Sequence, residues 1–392
     1  MALRLEQIIA DIHKMSRSMG TSDRRDWLQE ARRLLRTHDR QQLVQKLEPY
    51  WEPPYTILAP EPLGDLDERI PAPKIPYNYT VVAADGSNIS PDNDNLARFY
   101  LLNIGLVTLC YGSSPKADID AQAELKYEFD DLYWDQQRKR PVDAKRLSLL
   151  MRIREIEILA EMVEQVSYPC VVLVDGQLIM WELQREHDDD REWLLERLTW
   201  AFDRLQEYGI PIVGYISGTD SFELVNALRI YLCPTAPNEC QHCHAKGPKE
   251  LALCYHLNGF RDPALLFDFL ESGERSCTFA SHASILKAYS KTHRIVYFYM
   301  STGDEIVRVE VPQWVADKPK LLDLVHAVLH DQCIRSGQQP PYPPALHEAH
   351  EAAVISTADR KAVQMLIAEQ LQRHGITTFT PAKSYHKRLR GV

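Results

Sequence analysis

The chain has 392 residues, of which 45% are hydrophobic and 26% are charged, a composition typical of a soluble globular protein with a sizeable core. Its formal net charge is −10, which argues against nucleic-acid binding by global attraction but leaves room for a local basic groove. The first residues show no secretory-signal pattern, and no apolar stretch is long enough to span a bilayer. We therefore expect a cytoplasmic protein with no membrane partner.

The first 50 residues have helical periodicity, with apolar side chains recurring every three or four positions. The proline-rich stretch EPYWEPPYTILAPEPLGDLDERIPAPKIP follows, and it can be neither a continuous helix nor a central strand. We predict a helical extension and linker over residues 1–76, ahead of a main domain over residues 77–392. Three roles remain open for the extension: docking of a partner, contact within a dimer, and packing on the core.

The main domain opens with strands and continues with alternating helices and strands. The predicted elements are strands at 79–85, 97–112 and about 122–130, a helix at 143–166, a strand in SYPCVVLVDG, a helix at 190–208, a strand in IPIVGYIS and a helix in SFELVNALRIYL. The order β-β-β-α-β-α-β-α predicts an α/β fold in which helices flank a mixed β-sheet. This is the order of the ribonuclease H-like fold.

The next segment, residues 233–285, interrupts this order with prolines, cysteines and histidines, and we interpret it as an insertion. A hairpin is predicted after it, with strands in HRIVYFYMSTG and EIVRVEVP joined across Gly303 and Asp304. The remaining predicted helices lie at about 319–336, 344–355 and 358–374.

Two aspartates come directly after buried strand sequences, Asp85 in TVVAADGSNIS and Asp175 in CVVLVDGQL. An ionised carboxylate that is buried without a partner is costly, so two of them at strand ends indicate a positive species between them. A simple DG turn is the alternative explanation for either one alone. The helix at 143–166 supplies a third acid, either Glu157, which flanks an apolar stripe, or Glu155.

Two strand-end aspartates and a helix glutamate form an oxygen-rich site of the kind that binds Mg²⁺ or Mn²⁺. Two such ions about 3.5–4 Å apart can activate a water and stabilise the leaving oxygen of a phosphodiester. A solvated helix face is the alternative reading of the glutamates. The combination in this order of strands and helices favours a two-metal-ion hydrolase.

The motifs VAADGS and VLVDGQL, together with YPPALHEAHEAAVISTADRKAVQMLIAEQLQRHGI, resemble the NurA nuclease family. The resemblance runs from about residue 78 to the C-terminus, and its most specific piece is Tyr342-Pro343 followed by His350. It implies an RNase H-like core and a manganese-dependent 5′–3′ exonuclease and single-strand endonuclease acting on DNA. It also implies a homodimer that works with the hexameric ATPase HerA in DNA end resection and double-strand-break repair.

Carried over to this sequence, the resemblance implies that Asp85 contacts both metal ions. Asp175 and Glu157, or Glu155 in its place, would complete the ligand shell, and a neutral His350 would bind a metal or position the attacking water. Tyr342 would hydrogen-bond the scissile phosphate or stack on a base.

Two positions depart from the family pattern. Where a lysine is expected to follow the serine after the fifth strand, the sequence ISGTDS has Gly218, so a phosphate contact is missing or is supplied elsewhere. The second motif reads DGQ where DGS is more usual, a change that we expect to be tolerated because a metal needs only the carboxylate.

The segment CPTAPNECQHCHAKGPKELALCYH holds the four cysteines Cys233, Cys240, Cys243 and Cys254, with three histidines nearby. The spacing Cys240-x-x-Cys243 lets two thiolates share a structural Zn²⁺. A redox pair and unligated thiols are the alternatives.

The C-terminal sequence KSYHKRLRGV is basic, which makes Lys383, Lys387 and Arg388 candidate contacts to DNA phosphates. A solvated tail is the alternative. The chain has no GxxxxGK[ST] motif, so ATP-driven motion would have to come from a partner.

Two other functions remain open: a non-catalytic adaptor of the same fold that binds DNA or a translocase, and an RNA-directed nuclease. The joint presence of Asp85, a helix glutamate, Asp175 and His350 disfavours the adaptor. Choice between RNA and DNA would depend on contacts to the 2′-hydroxyl group.

Overall fold

The computed structural model of the protein describes residues 4–19, 22–52, 57–91, 97–135, 140–167, 169–233 and 253–376. The chain divides into two compact units. The first unit comprises Met1–Ala72, Ile216–Lys287 and Arg294–Glu310, and the second comprises Pro73–Tyr215, Ala288–His293 and Val311–Val392.

The strands and α-helices follow one another along the chain as numbered here. The strands are β1 (Glu61–Pro62), β2 (Tyr79–Ile89), β3 (Tyr100–Tyr111), β4 (Lys116–Lys126), β5 (Tyr133–Asp135), β6 (Arg140–Pro141), β7 (Cys170–Asp175), β8 (Ile212–Ile216), β9 (Phe279–Ala280), β10 (Ile295–Ser301) and β11 (Ile306–Pro312). The helices are α1 (Ile9–Met19), α2 (Ser22–Thr37), α3 (Arg40–Leu47), α4 (Phe129–Leu132), α5 (Ala144–Met162), α6 (Asp188–Glu207), α7 (Glu223–Leu232), α8 (Leu253–His256), α9 (Asp262–Leu266), α10 (Gln313–Ala316), α11 (Pro319–Arg335), α12 (Pro344–Ala353) and α13 (Thr357–Arg373).

The second unit contains a mixed sheet in the order β8-β7-β2-β3-β4. Strand β2 is antiparallel to β3 and parallel to β7, while β7 is parallel to β8 and β3 is antiparallel to β4. Counted along this unit, the strands stand in the order 3-2-1-4-5 with the second strand antiparallel. The predicted α/β fold of the ribonuclease H-like type is thereby confirmed.

The sequences of β2 and β7 explain their central places in this sheet. Both consist largely of small or β-branched residues that are buried, as is usual for strands covered on both faces. Helix α5 packs on one face of β2, where Gly86 and Asn88 meet Met151. Helix α12 packs on the other face, where Ser87 donates a hydrogen bond to Ala353 O. Successive residues of β2 thus point to opposite helices.

Helix α12 approaches β3 closely because position 105 is glycine. A Cβ at Gly105 would lie 2.2 Å from Ala349 O, which no backbone carbonyl tolerates. The end of the helix is also held, since Asn103 Nδ2 donates to Ala353 O at 2.8 Å. This bond and that of Ser87 satisfy a carbonyl that has no partner within the helix.

Most predicted elements agree with the structure, but β4 begins at Lys116, about six residues before the predicted start. Its residues are nearly all exposed, and charged residues such as Asp118 and Asp120 stand among them. A strand that gains its stability from pairing along β3, with little burial, carries no strong alternation of apolar and polar residues.

The first unit joins the N-terminal helices with the region after residue 216. Buried residues from α2, α3, α9, β9 and β10 share one hydrophobic core: Leu35, Leu43, Leu47, Leu265, Leu266, Phe279 and Tyr297. The segments interpreted from sequence as an extension (1–76) and an insertion (233–285) therefore contribute to the same compact unit. Within the described ranges, no helix combines the length and apolar character needed to cross a membrane.

A buried charged cluster, called the Arg308 network below, lies in the first unit and consists of Arg308, Glu223, Glu310 and Asp262. Arg308 Nη1 donates to Glu223 Oε1 at 2.6 Å, and its Nε donates to Glu310 Oε1 at 2.9 Å. The Asp262 carboxylate accepts hydrogen bonds from the Tyr299 and Ser221 hydroxyls and from the backbone N–H groups of Leu224 and Val225. Each member thus has hydrogen-bonding partners inside the protein.

Candidate active site

Asp85 lies within β2 at the point where the strand leaves the core. Its Oδ1 accepts a hydrogen bond from Gly86 N at 2.8 Å, and its Oδ2 lies 2.7 Å from His350 Nδ1. The Asp85 side chain is largely buried while the imidazole of His350 is exposed. Helix α12 packs on β2 and β3 and therefore places His350 beside Asp85.

Asp175 reaches the same edge of the sheet as Asp85 because β2 and β7 are parallel and in register. Ala84 is paired with Val174, so the two aspartates come next along neighbouring strands. Burial raises the pKa of Asp175 and the charge of Asp85 adds to the rise, whereas a hydrogen bond from Tyr342 opposes it. The ring of Tyr342 packs edge-on against the buried Tyr215, with ring centroids 5.7 Å apart.

Glu155 of α5 is the glutamate that meets these aspartates. Its side chain is only 3% exposed, and its Oε1 lies so near β2 that a Cβ at Gly86 would be 2.5 Å away. Burial raises the pKa of Glu155 well above its usual range, and the charges of Asp85 and Asp175 raise it further. Glu155 thus converges with Asp85 and Asp175, because Gly86 has no Cβ and leaves room for the Glu155 carboxylate.

Glu157 points elsewhere, so the structure corrects its choice as the principal helix acid. Both of its carboxylate oxygens accept hydrogen bonds from Arg197, each at 2.6 Å. It lines a cavity of about 800 Å³ whose walls also include Leu102 of β3 and Trp193 of α6. Residues two apart on a helix are rotated by about 200°, so only one of the two glutamates can face Asp85.

Arg152 is a member of this neighbourhood that carries no sequence signal beyond its place three residues before Glu155. Its positive charge lowers the pKa of Glu155, against the effect of burial. Its Nη2 donates to the backbone carbonyl of Gln177 at 2.6 Å, in the loop that follows Asp175. The spacing i, i+3 places the two side chains on one face of α5.

Several predicted residues cannot be placed. Cys240, Cys243, Lys383, Lys387 and Arg388 lie outside the described residues. Of the other two cysteines of the predicted zinc site, Cys233 directly follows α7 and Cys254 belongs to α8. The proposed Zn²⁺ site and phosphate contacts therefore stay predictions.

Gly218, at the position where the resemblance leads us to expect a lysine, lies beside a carboxylate. Its backbone N–H donates to Glu305 Oε2 at 3.0 Å, and the Ser217 hydroxyl donates to Glu305 Oε1 at 2.8 Å. This turn, which belongs to the first unit, is thus bound by an acid of the same unit.

The donor set of the site is three carboxylates and an imidazole; the carboxylates are the ligands that Mg²⁺ and Mn²⁺ prefer, and the imidazole is a common ligand of divalent metals in general. Among the described residues, however, no three acidic, histidine or cysteine side chains stand close enough to hold a metal ion in their present positions. Hydrogen bonds from His350 and Tyr342 occupy Asp85 and Asp175 instead. Ion binding would require these side chains to move closer together, and each carboxylate has enough lone pairs to keep its hydrogen bond while it coordinates an ion.

The family of the chain follows from a match that spans the whole site. Residues 79–355, more than half of the sequence, match the NurA domain. The chain belongs to the NurA family. Membership suggests that this NurA protein is a nuclease.

Two solved structures match this NurA chain with low sequence identity and low TM-scores. The crystal structure of NurA with manganese is 14% identical, with a TM-score of 0.33 over 77% of this chain and 91% of that chain. The crystal structure of LC9-RNase H1, a type 1 RNase H with the type 2 active-site motif, is 11% identical, with a TM-score of 0.22 over 40% of this chain and 72% of that one. No curated protein matches the chain. At these scores, the match to the NurA domain alone decides the family.

Proposed function

We propose that this NurA chain is a metal-dependent deoxyribonuclease that hydrolyses phosphodiester bonds through the acids at the edge of the second unit's sheet. The observation that carries the proposal is the convergence of Asp85, Glu155 and Asp175, with His350 and Tyr342 against two of them. Burial and the charge of Asp85 raise the pKa of both Glu155 and Asp175, and acids in such a place are costly unless a cation joins them.

The residues present fit divalent metal ions. Asp85, Glu155 and Asp175 would hold two Mn²⁺ or Mg²⁺ ions, and His350 would either join them as a ligand or act on the attacking water. When bound, such ions lower the pKa of the attacking water and stabilise the charge on the phosphate and the leaving oxygen.

His350 has the position and chemistry of a proton acceptor. In the tautomer that donates Nδ1–H to Asp85, its Nε2 carries the lone pair. Because the imidazole is exposed, Nε2 can take a proton from a water or hold that water in place. Asp85 then fixes the tautomer and the orientation of the ring.

Tyr342 orients Asp175, since its hydroxyl donates a hydrogen bond to that carboxylate and Tyr215 fixes its ring. This differs from the direct phosphate or base contact that the family resemblance implies. A phenol has one O–H, so Tyr342 can donate to the phosphate only when that hydroxyl leaves Asp175, whereas stacking of its ring on a base leaves the bond to Asp175 in place.

The family resemblance supports the finer parts of the proposal. We propose that the substrate is DNA, cut in the 5′–3′ direction and within single strands, in end resection and double-strand-break repair. The partners would be a second copy of the chain and a HerA-type hexameric ATPase. Lys383, Lys387 and Arg388 would contact phosphates, and Cys233, Cys240, Cys243 and Cys254 would hold a structural zinc.

The test is degradation of 5′- and 3′-labelled single-stranded DNA by the full chain in Mn²⁺, Mg²⁺ or EDTA. Wild type is compared with Asp85→Ala and with a control, Asp189→Ala, which removes an exposed aspartate of α6. We expect cutting that requires Mn²⁺, survives in the control and is lost in Asp85→Ala; the order in which the two labels are released gives the polarity.

If wild type cuts no DNA even with a HerA-type ATPase present, the adaptor function replaces this proposal. If a matched RNA strand is degraded faster than DNA, the substrate assignment changes and the RNA-directed nuclease takes its place.

A further inference from the structure

The loop that follows Asp175 is fixed by hydrogen bonds from several parts of the second unit. Gly176, whose φ of +106° suits glycine, donates its N–H to Tyr215 O at 2.8 Å. The Tyr289 hydroxyl donates to Leu178 O at 3.0 Å. The backbone just after Asp175 is therefore fixed by these hydrogen bonds. The position of the Asp175 carboxylate depends on them.

Arg152 supplies the contact that joins this loop to α5. Its Nη2 donates to Gln177 O at 2.6 Å, and its Nη1 donates to Glu182 Oε1 at 3.2 Å in the segment just beyond. Glu155 lies one turn farther along the same helix. The Arg152 guanidinium thus links α5, which carries Glu155, to the loop that follows Asp175.

Two roles for Arg152 make opposite predictions about metal binding. If it acted only through its charge, its removal would make the site more negative and Mn²⁺ would bind more tightly. If it acts by holding Gln177, its removal would loosen the loop and Mn²⁺ would bind more weakly. Residues that orient metal ligands without touching the metal typically change affinity or activity by about 10–100-fold.

We propose that Arg152 is a positioning residue of the active site, which sets the distance between the Asp175 loop and the helix of Glu155 through its bond to Gln177 O. The inference rests on the proposed metal-dependent nuclease function. The planar guanidinium suits this role because its fork reaches Gln177 and Glu182 at once, whereas a lysine ammonium has one nitrogen to offer.

The experiment is calorimetric titration of Mn²⁺ into the full chain, for wild type, Arg152→Met, Arg152→Gln and Arg152→Lys. The matched control is Arg146→Met, because Arg146 lies on the same helix, is 15% exposed against 23% for Arg152, and pairs with Glu186 at 3.5 Å. We expect Arg152→Met and Arg152→Gln to weaken Mn²⁺ binding about tenfold or more, Arg152→Lys to lie between them and wild type, and the control to match wild type.

The melting temperature of each variant in EDTA separates positioning from general stability. We expect Arg152→Met and Arg146→Met to melt at similar temperatures while only the first loses Mn²⁺ affinity. Unchanged or tighter binding by the two neutral variants would overturn the positioning role and leave the proposed nuclease standing. A wild-type chain that neither binds Mn²⁺ nor cuts DNA would overturn the nuclease function and this inference with it.

Discussion

The two units treat buried acids in opposite ways. In the Arg308 network, Glu223 and Glu310 each accept a hydrogen bond from one arginine, and Asp262 accepts four from hydroxyl and backbone groups. In the second unit, Glu155 is as deeply buried but receives no hydrogen bond among the described residues, and two aspartates repel it. Every acid of the first group has hydrogen-bonding partners within the protein, whereas in the second group Asp85 and Asp175 have them and Glu155 does not, among the described residues.

This difference separates a structural cluster from a binding site. A buried charge whose partners are all protein groups gains nothing from a ligand, and replacing it changes stability. Acidic side chains that lie close together with too little positive charge nearby destabilise the folded protein. Binding of a cation restores that stability. Burial and charge alone would not tell the two clusters apart, since both hold three acids.

The largest effect on stability should follow from removing the arginine of the Arg308 network. We expect Arg308→Met to lower the free energy of unfolding by about 3–5 kcal/mol, because it leaves Glu223 and Glu310 buried without their cation. Urea unfolding measures the change, with Arg373→Met as the control that breaks an exposed pair with Glu369 and should cost no more than about 1 kcal/mol. DNA cutting per folded molecule should be unchanged. A loss as small as that of the control would mean that Glu223 and Glu310 do not depend on Arg308 for their stability.

The next effect comes from the two glutamates that stand two residues apart on α5. If the proposed function holds, we expect Glu155→Gln to reduce Mn²⁺-dependent cutting at least about 100-fold, or about 2.7 kcal/mol, because it removes one of the three carboxylates of the acid cluster. Glu157→Gln should keep cutting and lose stability instead, because it weakens the paired bonds to Arg197. Rates of labelled-DNA degradation and melting temperatures check both. An inactive Glu157→Gln beside an active Glu155→Gln would return the catalytic role to Glu157.

The smallest effect is a dependence of stability on pH. Burial, Asp85 and Asp175 raise the pKa of Glu155 in the folded chain above the ordinary 4.5, with Arg152 opposing them. The folded state therefore holds this proton to higher pH than the unfolded state does, so the wild type loses stability as pH rises above about 4.5. In EDTA, Glu155→Gln should gain stability relative to wild type over this range and show no gain below it. A difference that stays constant with pH would mean that Glu155 is not perturbed.

The sequence was sufficient for the strand-end aspartates because the relevant pattern is local. Buried aliphatic runs in β2 and β7 lead into Asp85 and Asp175, and parallel pairing brings the two aspartates to one edge, although β2 continues past Asp85 to Ile89 where the predicted strand ended at residue 85. The order of strands and helices, the start of α12 and the family motifs were likewise available from short stretches of sequence.

The choice between Glu155 and Glu157 was not available, for a physical reason. Helix α5 is buried on several faces at once, including Leu149, Leu150 and Ile153, so no single apolar stripe shows which side meets β2. What decides it is Gly86, whose missing Cβ admits the Glu155 carboxylate, and that contact lies 69 positions away in the chain.

The organisation of the first unit was also beyond sequence patterns. The helices before residue 50 and the segment around Leu265 each look amphipathic, and neither shows its partner. Side-chain contacts such as that of Arg32 with Leu265 O, 3.0 Å long, join residues 233 positions apart. Periodicity reports which face of an element is buried, and it does not report what covers that face.

The contact between Asp85 and His350 spans 265 residues of sequence. At translation rates of about 5–20 residues per second, the ribosome takes on the order of 10–50 seconds to make the chain between them. For most of that interval, after Asp175 and before Tyr342 has been made, the nascent chain contains both aspartates but neither Tyr342 nor His350. An unfinished polypeptide therefore lacks the complete candidate site, which forms only when the segment that holds Tyr342 and His350 has been made.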